Sequence, residues 1–258
     1  MILSILIAAS AAASKPPGAP NVVALTFDQC VALAKTDTAK AIAAAEAWRA
    51  AGGGLAARQC LGLAYVTAER WGPAALAFEQ AARDAEIQRD GRAANLWVQS
   101  GNASLAGDDS AKAKMAFDRA IALPTLSDPM RGEALMDRAR AEVGSNDVSA
   151  ARADLDAALK LVPQDPMGWL LSATLARRQN DLARAGTDII EALRLAPDDA
   201  AVAYEQGNIA FEEGNAGSAK GAWQRAIDID TKVGRPGDIA ISARMAIAKL
   251  ETGAAPEQ

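Results

Sequence analysis

Cys30 and Cys60 are the only two cysteines of this 258-residue chain, and histidine is absent. Two such thiols can be oxidised to a disulfide or stay reduced as small buried hydrophobes. They do not form a C-x-x-C pair, so a dithiol redox centre is not expected. Without imidazole, Ser-His-Asp and Cys-His catalysis and the H-E-x-x-H metal site are excluded. The 32 acidic residues include no carboxylate pair whose spacing separates it from ordinary surface charge. No glycine-rich phosphate loop or metal-ligand cluster is present either. The expectation is a protein that is not an enzyme, with no catalytic residue, no metal and no cofactor.

Charge narrows the partners. Net charge is -5, with 27 basic and 32 acidic residues interspersed. No basic block or aromatic-interleaved basic stripe appears, so nucleic acid is not an expected partner. Met1–Ala13 is an apolar run ending in the small-residue site Ala11-Ala12-Ala13. It is much shorter than the roughly 20 residues of a membrane span and predicts a signal peptide over 1–13. SKPPGAPNVVA, residues 14–24, then reads as a Pro-rich linker, and the protein is expected to be periplasmic or secreted. In an exported chain, an even pair of cysteines favours a Cys30–Cys60 disulfide. Closing that loop would contribute about 3–4 kcal/mol in the chain-entropy model.

The elements that must position these groups are helices. Half the residues are hydrophobic but only 4% are aromatic, and alanine, the best helix former, occurs 64 times. The chain also repeats itself: SGNASLAGDD at Ser100–Asp109 returns as QGNIAFEEGN at Gln206–Asn215. From Gly62, Ala74 follows after 12 residues, Phe78 after four more and Ala81 after three. The same ladder runs from Gly101 to Ala113, Phe117 and Ala120, and from Gly207 to Ala219, Trp223 and Ala226. With alanine for glycine and an aliphatic for the aromatic, it runs from Ala139 through Leu155 and from Ala173 through Ile189. A degenerate copy joins Ala32, Ala44, Trp48 and Ala51.

Each copy reads as two antiparallel helices. The small rungs let the helices approach, and the large rung is expected to fill the space between neighbouring units. Asp109, Asp147, Asp181 and Asn215, in the turns GDDS, SND, QND and EGN, suit N-caps of the second helix. Asp128-Pro129 and Asp165-Pro166 place an N-cap before proline. The extra residues near 128–131 lengthen one helix by a turn.

These residues, LGLAY…A…F…A from Leu61 to Ala81 most sharply, resemble the tetratricopeptide repeat family over about residues 25–231. Ala210 and Glu142 depart from the pattern where a tyrosine like Tyr65 is expected, and Thr231 replaces the closing proline. The resemblance implies an all-α solenoid of about six helix-turn-helix repeats over 25–252. Its last part, from Asp238 to Glu251, is a C-terminal capping helix, and 253–258 is a disordered tail. It also implies a role in protein–protein interaction.

First helices of such arrays are expected to line a concave groove. The stripe of those helices that faces away from the core reads Asn95, Val98, Asn102; Met136, Arg140; Leu170, Thr174, Arg177, Arg178; Tyr204, Asn208, Phe211. Asparagines can pair with a peptide backbone and arginines with a carboxylate, so a polypeptide, acidic or ending in a free C-terminus, is the expected partner. The stripe lacks the lysine that the chaperone-binding members of the family use, so that activity does not transfer. Trp71, in ERWGP, lies off the ladder. The alternative reading is a structural subunit of a periplasmic assembly that self-associates through its convex face or ends.

Overall fold

The computed structural model describes residues 25–232 and 237–252; the expected signal peptide, linker and C-terminal tail lie outside the described residues. Thirteen helices and no strand occur among the described residues. They form six antiparallel pairs: α1 (Phe27–Thr36) with α2 (Thr38–Ala50), α3 (Gly54–Thr67) with α4 (Trp71–Gln88), α5 (Ala93–Ala106) with α6 (Ser110–Ala122), α7 (Asp128–Gly144) with α8 (Val148–Leu161), α9 (Pro166–Arg178) with α10 (Leu182–Leu195), and α11 (Ala200–Glu212) with α12 (Ala216–Thr231). α13 (Asp238–Thr252) packs on α12 and α11 at the end of the row. Each helix packs chiefly on its neighbours in sequence, as a solenoid requires.

The turn inside each of the last four pairs follows one rule. Asp108, Asn146 and Asn180 take left-handed φ of 58°, 60° and 60°, which short polar side chains tolerate. The next residue then caps the second helix. Asp109, Asp147, Asp181 and Asn215 accept from the backbone N–H three residues on, at 3.1, 3.2, 3.1 and 3.1 Å. Between pairs, Asp165 caps α9 through the Met167 N–H at 2.9 Å. Asp128 instead lies inside α7, whose N-cap is Ser127. α7 has 17 residues against 13 for α9, so the inserted residues do lengthen a helix.

The small and large rungs meet within a pair, and the large rungs also share clusters with the next pair, Phe117 with Ala134 and Ala141 and Leu155 with Leu175. A methyl group on Gly62 would lie 2.6 Å from Phe78 Cε1, and one on Gly101 equally close to Phe117 Cε1. Trp223 stands in the same relation to Gly207. The reason is size: a ring fits between two antiparallel helices only where the facing helix has no side chain. Alanines at 74, 81, 113, 120, 219 and 226 are fully buried on either side of the three rings.

The first pair departs from the ladder. Its buried positions are Cys30, Ala34, Ala41 and Ala45, while Ala32 and Ala51 are exposed. Trp48 turns towards Gly53 in the connection to α3. Cys30 and Cys60 are fully buried with Cα atoms 6.1 Å apart, a separation that a disulfide spans. They lie on α1 and α3, across the junction between the first two pairs.

Candidate interaction surface

Exposed side chains of the first helices form one long face. The stripe read from the sequence maps onto it unevenly. Asn102, Arg140 and Arg178 are exposed, and Asn95, Val98, Thr174, Tyr204 and Phe211 are half-buried. Leu170 and Met136 are buried, contrary to the expectation of an open stripe. Leu170 shares a cluster with Val202 and Ile209 of α11, because successive first helices lean on one another there. Met136 is enclosed likewise with Leu135, Ala139 and Leu175.

Arg177 is also not a free groove cation. Its Nε donates to Glu205 Oε1 at 2.7 Å and its Nη1 to Glu212 Oε1 at 2.5 Å, both on α11. Burial opposes its charge, but those two carboxylates outweigh it and raise its pKa. Glu205 is itself buried, and a buried carboxylate demands such a partner. Asn208 serves the same cluster, donating to Glu205 Oε2 at 3.0 Å and accepting from Trp223 Nε1 at 3.0 Å. Phe211 lies beside Trp223, ring centroids 5.8 Å apart. Arg177 and Asn208 thus tie the fifth pair to the sixth and hold Trp223 in place.

What remains open is a pocket of about 180 Å³ between α7 and α9. Its walls are Val143, Leu155, Leu171 and Leu175, and Arg140, Thr174 and Arg178 stand around them. Arg140 Nη1 reaches Asp137 Oδ1 at 3.0 Å. Burial raises the Asp137 pKa, and Arg140 only partly offsets it. The guanidinium of Arg140 keeps most of its surface in solvent, so a second carboxylate could reach it. The apolar walls went unread because Leu155 and Leu171 look like core positions; only the pairing of α7 with α9 turns one edge outwards.

A second feature was not visible in the stripe. Outside, between α4 and α6, runs a trough of about 870 Å³ floored by Ser100, Ala103 and Ser104 of α5. Trp71, off the ladder, is half-buried with its Cβ against Gly107 at one end of α5. The Trp97 indole lines the trough, donating to Glu86 Oε1 at 2.5 Å, with the Arg83 guanidinium 5.7 Å from its ring centroid in a cation–π contact.

Six helix pairs in a row, the last five with a small-on-large crossing and the last four with a capped turn, define the fold of the tetratricopeptide-repeat solenoids. Solved structures of that class superpose on the chain. PilF of Pseudomonas aeruginosa matches with a TM-score of 0.62 and 15% identity, over 85% of this chain and 96% of its own. PilW, described as a widely conserved type IV pilus biogenesis factor, matches with a TM-score of 0.62 and 20% identity over 77% and 91%. YrrB, described as a TPR protein with an unusual peptide-binding site, gives 0.52 and 17% over 73% and 91%. No family model matches the chain, and no curated protein does. Among the described residues no helix is long and apolar enough to cross a membrane.

Proposed function

We propose that this protein is a non-catalytic interaction scaffold of the cell envelope that grips a polypeptide segment in the concave groove of its first helices. One observation carries the reading: an apolar pocket between α7 and α9 with Arg140 and Arg178 at its rim. Such a pocket suits one aliphatic side chain whose own or neighbouring carboxylate pairs with the two guanidiniums, in the geometry arginine favours. An acidic-apolar segment or a free C-terminus has that chemistry. Asn95 and Asn102, on α5 of the same array, supply amides for the partner's backbone. The peptide-binding site named for YrrB and the pilus role named for PilW are consistent with a binding role in the envelope. The apolar N-terminal run and the facing cysteines support export.

The test is a photo-crosslinker at Thr174, used in cells. The reading expects a crosslinked polypeptide whose yield falls about tenfold in the Arg140→Glu/Arg178→Glu variant, the loss of roughly one good charged contact. A yield undiminished by that variant ends it. Arg177 is left intact in this design because its loss would unpair the buried Glu205.

A further inference from the structure

The outer face carries a second surface, and the repeat supplies its internal control. The residue before the small rung is Ser100, Arg138 and Ser172 in three successive pairs; the residue before the large rung is Ala116, Asp154 and Asp188. Between α6 and α8, Arg138 fills the seam, bonding Asp154 and Asp118. Between α8 and α10, Arg152 bonds Ser172, which bonds Asp188, and Arg184 pairs with Asp156. Between α4 and α6 the ion pair Arg119–Glu86 stands beside Trp97, but no charged side chain occupies the positions of Arg138 and Asp154. Ser100 is too short to cross and spends its hydroxyl on the Ala75 carbonyl at 3.0 Å, and Ala116 offers no charge. The result is the 870 Å³ trough.

Its rim is apolar where other pairs are not. Leu76 and Met115 occupy equivalent positions on α4 and α6 and are 54% and 61% exposed; the matching residues further on are Ala153, Thr187 and Gly221. Ile87, 83% exposed, extends the α4 rim past Trp97. From Gly72 to Ile87 the wall is about 22 Å long at 1.5 Å per residue. Outside this apolar line stand three ion pairs, Arg83–Glu79, Lys112–Asp109 and Arg119–Glu86, and in each the cation is the more exposed member. Asp118 is already held by Arg138 and Lys114. The outermost charge along the trough is therefore positive.

We propose that this trough docks an amphipathic α-helix of a partner protein, with an apolar stripe seated over Ser100 and Ser104 and carboxylates flanking it. A helix satisfies its own backbone and needs only small residues beneath it, which α5 provides. An extended segment would bring unpaired N–H and C=O groups to a floor without a strand edge to receive them. The carboxylates are those that the outward cations Arg83, Lys112 and Arg119 complement.

The test uses two fluorescein-labelled peptides of about five helical turns, with leucines at i, i+4, i+7 and i+11, flanked by glutamates in one and lysines in the other. Fluorescence anisotropy of the full chain should show the glutamate peptide binding about tenfold or more tightly than the lysine peptide. Leu76→Asp/Met115→Asp should abolish that binding, Arg83→Glu/Arg119→Glu should reverse the preference, and Ile190→Asp, an exposed apolar residue outside the trough, should change nothing. Circular dichroism checks that the exposed substitutions leave the helices intact. Absence of binding, equal binding of both peptides, or insensitivity to Leu76 and Met115 overturns the proposal. So does a chain that dimerises without peptide and loses dimerisation in Leu76→Asp, because the occupant would then be a second copy. None of these variants touches Arg140 or Arg178, so failure here and failure of the concave groove are separable.

Discussion

The Phe117 ring presses on Gly101 so closely that a methyl group there would meet Cε1 at 2.6 Å. Phe117 is fully buried and has nowhere to retreat. Glycine inside a helix normally costs stability, so its use at this point reflects the space the ring needs. The remaining pairs confirm the exchange: Ala139 shares a cluster with Leu155 and Ala173 with Ile189, smaller partners that leave room for a methyl.

Gly101→Ala should therefore lower stability by about 1–3 kcal/mol, the usual cost of overpacking, despite the better helix propensity of alanine. Gly101→Ala/Phe117→Leu should recover most of the loss. Gly221→Ala, in α12 with open space around it, should raise stability by up to about 1 kcal/mol. Urea denaturation of the three variants checks the set. Stabilisation by Gly101→Ala would show that the ring does not need the glycine.

The Cys30–Cys60 contact predicts a disulfide that staples α1 to α3. The protein isolated without reductant and then denatured should resist a maleimide until it is reduced, and then label at two sites. Cys30→Ser/Cys60→Ser should cost about 3–4 kcal/mol. The loss should fall first on α1 and α2, seen as early amide exchange there, because this pair lacks the small-on-large crossing of the others. Labelling without reduction would mean two separate buried thiols.

Much of the fold was legible because its signals are local. An aspartate or asparagine after a left-handed residue announces the cap in the last four pairs, and the ladder seen from Gly101 to Phe117 announces the crossing in the last five. The surface was harder to read. Leu170 and Met136 share a stripe with Arg140 in a helical projection, but burial there depends on how closely successive first helices lean together, which no single helix encodes. Arg177 reads as a groove cation until Glu205, 28 residues on, is seen to bind it. The outer trough was missed because its signal is a lack: Ala116 stands where Asp154 and Asp188 stand in later pairs, and alanine is unremarked in so alanine-rich a chain.

Glu142 occupies the position of Tyr65, and its carboxylate is buried with Oε2 unpartnered. Burial, then the nearby Asp154 charge, raises its pKa from 4.5 to about 7; Arg138 and Lys114 oppose the rise, and Asp147 adds slightly to it. Between those values the folded chain holds a proton that the unfolded chain has lost, so stability should fall as pH rises from 4.5 to about 7 and level off above. Glu142→Gln should remove that fall and gain most over the native protein at pH 8. Chemical denaturation across this range is a clean assay because the chain has no histidine to titrate there. An unchanged pH slope in Glu142→Gln would mean that the carboxylate is solvated.

Arg138 bonds Asp154 through Nε at 2.6 Å and Nη2 at 2.7 Å, and Asp118 through Nη1 at 2.8 Å. Asp154 is buried, so removing the arginine alone strands a carboxylate in a low-dielectric seam. Arg138→Ser should cost about 3–5 kcal/mol, as broken buried pairs do. The chain itself offers the compensating change, since the preceding pair carries Ser100 and Ala116 at these two positions. Arg138→Ser/Asp154→Ala copies that arrangement and removes both charges together, so it should be more stable than Arg138→Ser alone. A double-mutant cycle then reads a coupling of about 0.5–3 kcal/mol. Simple additivity would mean that Asp154 is served by water or by Lys114 and that the seam is not closed by this pair. A measured coupling would establish that the seam between α6 and α8 is held by the Arg138–Asp154 pair, at the two positions where the seam between α4 and α6 carries Ser100 and Ala116.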